Sequence, residues 1–289
     1  MKYTVLLYYR YVTVPDPTAE RDAQVRLCSA AGLKGRIIIG DEGINGTVAG
    51  DSAAVQTYLD YMNAHALFGG IQYKTDTTDE VPFPKLKVKV RPEIVTLGTE
   101  VDVDNTATHL TPEEFNEMIK DPEVVLFDAR NNYESAIGRF KGAVTPDIGL
   151  FSEFPAALDQ YEGLKDKKVV AYCTGGIRCE KASALMKQNG FKNVYQLDGG
   201  IISYAQAFPE GAFEGECFVF DGRMSMAFND TPTLLGRCVA CAASTNRYYN
   251  CGVKTCNKLI LVCDGCRQEA LACGDECRRQ LALMATASR

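Results

Sequence analysis

The sequence contains no tryptophan and only two histidines, His65 and His109. Two histidines this far apart argue against the two-histidine, one-carboxylate triad of non-haem iron oxygenases. No flavin, haem or nucleotide-binding motif accompanies them. No apolar run approaches the ~20 residues needed to span a bilayer. The opening stretch Val5-Leu6-Leu7 is short, soon meets Arg10, and is followed by no small-residue cleavage site. A cytoplasmic protein with no membrane partner is therefore expected. Positive charge is also in short supply, with Lys+Arg 31 against Asp+Glu 37 and a net charge of −6. A protein that coats nucleic acid indiscriminately is excluded, but a selective RNA enzyme with one local basic face is not.

Cysteine is abundant, with 12 copies, eight of them between Cys238 and Cys277. In a reducing compartment this favours metal binding and thiol chemistry over disulfides. The 289 residues, 46% hydrophobic and 24% charged, fit two or three globular domains.

Residues 1–96 alternate strand and helix signals. Tyr3 to Val14 reads as a strand stopped by Pro15 and Pro17, and Thr18 to Ala31 as a helix closed by Gly32. Lys34 to Ile39 and Thr47 to Ala49 read as strands joined through a turn, Asp41-Glu42-Gly43-Ile44-Asn45-Gly46. A helix over Ser52 to Leu67 and a strand over Ile71 to Lys74 complete a βαββαβ order, predicting a ferredoxin-like α+β domain. In the next extended segment Leu86, Val88 and Val90 alternate with Lys85, Lys87, Lys89 and Arg91. Four like charges on one strand face could track a phosphate backbone, but on the strand alone the simpler reading, an edge strand protected from aggregation, is favoured.

Residues 97–118 read as a linker and a helix start, the latter marked by Thr111-Pro112-Glu113-Glu114. From 119 to 215, buried-type strands at Val124 to Phe127, Val169 to Tyr172 and Val194 to Leu197 alternate with helical signals. That pattern predicts a central parallel α/β domain. The second of these strands runs into Cys173-Thr174-Gly175-Gly176-Ile177-Arg178-Cys179 and then a helix. At such a junction, helix amides and Arg178 favour the Cys173 thiolate, and Gly175 and Gly176 let N–H groups converge on an anion over the sulfur. Cys173 and Arg178 are thus candidate catalytic residues, with Thr174 to Ile177 forming the loop. Cys179 can resolve an oxidised or persulfidic Cys173 or simply fill the core. Asp128 and Arg130 can orient the loop or bind substrate, or equally form a structural ion pair.

The loop resembles that of rhodanese-type sulfurtransferases, in which four residues separate cysteine and arginine, whereas cysteine-dependent phosphatases have five. Asp128-Ala129-Arg130 and Gly142-Ala143-Val144 are also similar to rhodanese motifs. Several further segments resemble the bacterial oxygen-dependent tRNA uridine hydroxylase family. They are the segment Asp41 to Thr47, Arg130-Asn131-Asn132-Tyr133-Glu134, Tyr172 through Lys181, Gly199-Gly200-Ile201 and Phe218-Val219-Phe220-Asp221. The resemblance spans nearly the whole chain. It implies a rhodanese-like central domain, hydroxylation of the wobble uridine of certain tRNAs to 5-hydroxyuridine, dioxygen as co-substrate, and a persulfide on Cys173. A plain sulfurtransferase served by a sulfur donor is the first alternative, and a non-catalytic RNA-binding scaffold the second.

Residues 216–289 hold the cysteine pairs Cys238-x2-Cys241, Cys251-x4-Cys256, Cys263-x2-Cys266 and Cys273-x3-Cys277. Four pairs predict a structural zinc module. Two cross-braced ions, with the first and third pairs sharing one, fit the spacing. Sequential pairing, or one ion with spare thiols, is equally compatible with the sequence. Such a module would stabilise a segment too small for its own core. Arg237, Arg247, Lys254 and Lys258 could also present charge to RNA.

Overall fold

The computed structural model describes residues 2–267 and 271–287. The N-terminal domain runs β1 (Tyr3–Tyr11), α1 (Pro17–Ala30), β2 (Lys34–Gly40), β3 (Gly43–Gly50), α2 (Ser52–Ala64) and β4 (Lys74–Thr78), followed by β5 (Leu86–Val90). Its sheet has the order β4-β1-β3-β2-β5. The first four strands pair antiparallel as a ferredoxin-like fold requires, and β5 is added parallel to β2 at the edge. On β1 the even residues Leu6 and Tyr8 turn into the core with Tyr58 and Met62 of α2. The odd residues Leu7, Tyr9 and Tyr11 project from the opposite face, as the two-residue strand period dictates.

Two expectations need correction here. Gly43 to Gly46 is not turn but the first half of β3, leaving only Asp41-Glu42 to join the hairpin. Its glycines are needed for closeness: a Cβ on Gly43 would lie 2.0 Å from the Arg10 carbonyl oxygen, and one on Gly46 would lie 2.3 Å from the Tyr8 ring. Glycine that reads locally as a turn serves here to let chains approach. The fourth strand begins only at Lys74, because apolar Ile71 is buried in the core from a non-strand segment.

The central domain comprises β6 (Thr108–Leu110), α3 (Pro112–Met118), β7 (Val124–Asp128), α4 (Asn132–Ser135), β8 (Gly138–Phe140), α5 (Phe154–Leu158), β9 (Lys168–Tyr172), α6 (Ile177–Gln188), β10 (Asn193–Leu197) and α7 (Gly200–Ala207). A parallel sheet of order β6-β10-β9-β7 forms its centre, with apolar clusters on both faces. Residues read as linker and helix start thus supply β6 and α3 to this domain. The Thr111 hydroxyl accepts from the Glu114 N–H, and the Glu114 carboxylate accepts from the Thr111 N–H. Strand β6 is too short for periodicity to reveal it.

The chain then forms β11 (Phe213–Gly215), which pairs with β8, and β12 (Cys217–Phe218), which pairs with β13 (Ser225–Met226). The cysteine-rich module holds β14 (Tyr248–Asn250), β15 (Leu259–Leu261) and α8 (Asp275–Ala287). Among the described residues, no helix is long and apolar enough to cross a membrane.

Candidate active site and metal centre

Cys173 follows β9, at the carboxyl end of a central strand, where parallel sheets place ligands. The Gly176 N–H donates to its Sγ at 3.2 Å. Burial pushes the thiol up. A hydrogen bond from the Cys179 thiol, the Arg178 guanidinium and the Arg178 and Cys179 N–H groups outweigh that, bringing it down to about 6. Cys173 is therefore a thiolate at neutral pH. Cys179 is driven the opposite way, by burial first and then by its bond to Cys173, and acts as a neutral donor.

Gly176 caps α6 at φ +102°, and a Cβ there would lie 2.8 Å from the Tyr9 hydroxyl. Gly200, at φ +68°, would place a Cβ 2.4 Å from the Cys173 carbonyl oxygen. That carbonyl accepts from the Ile201 N–H, and the Thr174 carbonyl from the Ile202 N–H, so α7 holds the loop from behind.

Arg178 does not stand alone. It donates to both oxygens of Glu134, at 2.5 and 2.8 Å, and Thr174 Oγ1 lies 3.3 Å from the same carboxylate. Both partners are buried. Glu134 also accepts from the Asn131 N–H at the start of α4. Sequence reasoning placed Glu134 in a motif but gave it no role. Its capping position was legible, whereas its partner 44 residues away was not.

Asp128 and Arg130 form a fully buried ion pair at 2.7 Å, and Arg130 also donates to the Gly138 carbonyl. They brace β7 and β8 beneath the loop and do not line the cleft beside it. Lys85, Lys87, Lys89 and Arg91 are exposed on β5. That edge lies three strand spacings from β1, about 14 Å, so the structure does not bring them to the thiol.

Other residues arrive from the N-terminal domain. Leu7 lies under Gly175, the Tyr9 hydroxyl donates to Glu180 at 2.8 Å, and Tyr11 reaches the Ile177 carbonyl. Lys74 Nζ sits 5.1 Å from the centre of the Tyr9 ring. Burial lowers its pKa, against the pull of Asp198, Cys173 and Glu180. Lys181 joins Glu42, in the first motif, to Glu93 at 2.9 and 2.7 Å, tying α6 to the β2–β3 hairpin. Strand alternation alone could have signalled Leu7, Tyr9 and Tyr11, but not which surface they meet. Between the domains opens a cleft lined by Leu7, Thr47, Lys74, Thr174, Ile202 and Phe220 among others.

In the cysteine-rich module, Cys238, Cys241, Cys263 and Cys266 form one set, and Cys251, Cys256, Cys273 and Cys277 the other. Within each set the ligand atoms lie within 4.8 Å of one another, which is the cross-braced arrangement. Thiolates held tetrahedrally about 2.3 Å from an ion would be about 3.8 Å apart. Sγ separations of 3.5 Å for Cys241–Cys263 and for Cys256–Cys273 approach that spacing. N–H groups of Cys263, Ala240 and Cys241 bring Cys238 down to about 6. The donor set therefore fits two metal ions in closed sites. Cys28 and Cys217 belong to neither set, and burial pushes each up to about 12.

Residues 3–94 match the family described as UPF0176 acylphosphatase like domain, 111–207 the Rhodanese-like domain, and 214–278 Rhodanase C-terminal. The chain is 44% identical to a tRNA uridine(34) hydroxylase of Corynebacterium urealyticum, over 94% of this chain and 96% of that protein. It is 44% identical to the protein of that name from Pseudarthrobacter chlorophenolicus, over 94% and 98%. For the Cytophaga hutchinsonii protein the figures are 42%, 96% and 90%. With this identity along nearly the full length, and the cysteine loop and paired cysteines in place, the chain belongs to the tRNA uridine(34) hydroxylase family.

Proposed function

We propose that this protein hydroxylates the wobble uridine of tRNA to 5-hydroxyuridine in the cytoplasm, consuming dioxygen, with Cys173 as its catalytic thiol in persulfide form. The observation that carries the reading is a thiol held at about 6 by Arg178 and loop N–H groups, beside a cleft built from separate domains. Arg178, locked by Glu134, stabilises the anionic sulfur, and the N–H of Gly176 points at it. Cys179 acts as a donor to Cys173 rather than as a resolving thiol. The C-terminal thiols hold two structural zinc ions, whose role is to fold the module. The lysine face of β5 contacts tRNA phosphates away from the reacting base.

The test is nucleoside analysis of tRNA from a deletion strain complemented with wild type or Cys173→Ala. Wild type restores 5-hydroxyuridine and the variant does not. Restoration by both overturns the role of Cys173. If the deletion leaves 5-hydroxyuridine unchanged and the purified protein transfers sulfur from thiosulfate robustly, the protein is a sulfurtransferase instead.

A further inference from the structure

The motif Phe218-Val219-Phe220-Asp221 enters none of the chemistry above, yet its middle forms a wall of the cleft. Among the described residues, Phe220 is the one phenylalanine or tyrosine left exposed, at 48%. A single exposed apolar side chain is ordinary, but the location of this one is not. Its ring lies 5.7 Å from the Arg178 guanidinium carbon and packs edge-to-face on Phe218 at 5.1 Å. Phe218 is in turn fixed edge-to-face by Tyr133 and Tyr248. The ring is thus backed by Phe218 and by Arg178, while about half of the residue's surface remains open. Across the same cleft stands Lys74, whose ammonium is partly buried and rests on Tyr9.

We propose that Phe220 is the stacking platform for a flipped-out uracil and that Lys74 donates to one of its carbonyl oxygens. Proteins that read unpaired loop nucleotides stack the base on an aromatic face and hydrogen-bond its edge. A mostly apolar cleft into which Lys74 projects an ammonium, with Arg223 already paired to Asp76 and Asp221, is suited to a planar, neutral base that presents carbonyls. Arg223 lines both this cleft and a wider groove beside Tyr248, Asn246 and Arg247, which gives the flanking chain room to leave. The ligand class is therefore a uridine within a single-stranded RNA loop, not a free nucleoside. The inference rests on the proposed hydroxylase reading and assigns its base-binding residues.

The test uses the full-length, metal-replete protein and anticodon stem-loop RNAs carrying uridine, cytidine or an abasic site at the wobble position. Phe220→Ala is expected to weaken binding of the uridine RNA by roughly 10- to 100-fold and to leave the abasic RNA unaffected. Phe220→Tyr keeps wild-type affinity. Lys74→Met is expected to reduce the preference for uridine over cytidine. Alkylation of Cys173 by iodoacetamide reports separately on the thiol. Equal losses on uridine and abasic RNA overturn the platform. So does a Phe220→Ala change in Cys173 alkylation without a change in RNA discrimination, which would make the ring a screen over Arg178. If wild type forms 5-hydroxyuridine while Phe220→Ala keeps the wild-type KM, the platform falls and the hydroxylase reading stands. If wild type discriminates the RNAs but makes no 5-hydroxyuridine in cells, the opposite holds.

Discussion

Cys173 and the C-terminal cysteines meet the same demand, a stable thiolate, in opposite ways. At the loop a single sulfur is buried, and the protein supplies the compensation: one guanidinium, converging N–H groups and a neighbouring thiol. In the module eight sulfurs gather in two sets of four, each set with its sulfurs within 4.8 Å of one another. Four thiolates need a cation from outside. The first arrangement suits a reactive sulfur, and the second suits coordination of an ion. The regions also touch. Tyr248 of β14 donates its hydroxyl to the Tyr133 carbonyl, and Leu261 packs with Ile137 and Phe218. Tyr133 precedes Glu134, so the module braces the short helix that orients Arg178.

The largest expected effect separates the two most directly. Structural zinc contributes about 10–16 kcal/mol to folding in small metal-dependent modules. Chelation, or Cys238→Ser with Cys256→Ser, should therefore melt the module while the parallel sheet survives. Hydrogen exchange is expected to show amides of β14 and β15 losing protection and those of β7, β9 and β10 keeping it. Uniform loss would mean that the regions fold as one unit and that the contrast is only chemical.

Next in size is Glu134→Gln, which leaves a buried Arg178 without its carboxylate. Stripping one partner from a buried ion pair costs about 3–5 kcal/mol, so thermal unfolding should drop markedly. With the carboxylate gone, Arg178 acts on Cys173 unopposed, and the thiol is expected to titrate below its present value of about 6. Metal content stays at wild-type level. A thiol that titrates higher would show that Glu134 mainly positions Arg178 rather than screening it.

Smaller, but more diagnostic, is the pH dependence of thiol alkylation. The Cys173 rate should rise through about pH 6, while Cys28 and Cys217, buried and with their thiols pushed up by that burial, stay silent across the same range. Because the folded Cys173 pKa lies below the ordinary ~8.5, its thiolate adds stability that is fully present above about 8.5. That contribution is lost as pH falls through about 6. Cys173→Ala is expected to flatten that part of the stability profile. A parallel slope in the variant would place the titration elsewhere.

What the sequence made legible follows the range of the interactions. The cysteine–arginine spacing and the paired cysteines are local, and each pointed to its chemistry directly. The cross-bracing was one of several pairings until the fold brought Cys238 to Cys263. Glu134, Lys74, Tyr9 and Phe220 were out of reach because each acts on a residue from another domain or another part of the fold. Glycines misled where they serve close packing, as at Gly43 to Gly46. The Asp128–Arg130 pair was evenly balanced in sequence, and only its burial favours the bracing role.

The smallest effect bears on whether the metal module is purely a brace. Arg237, Lys254 and Lys258 are exposed on it, as Lys85, Lys87, Lys89 and Arg91 are on β5. Arg247 is already paired with Asp264 at 2.6 Å, and Arg237 donates to the Ser244 hydroxyl. The β5 cations recur at every second residue of one extended strand, a spacing of about 7 Å, similar to the interval between successive phosphates of an extended backbone. Each phosphate neutralised contributes about 0.7–0.9 to the slope of log affinity against log salt. Neutralising the β5 face is therefore expected to lower the tRNA-binding slope by about 2 to 3. Neutralising Arg237, Lys254 and Lys258 should change it by less than about 1, with Cys173 alkylation unchanged in both. The reverse ranking would make the metal module an RNA reader, and the contrast between a reactive cysteine and purely structural ones would have to be redrawn.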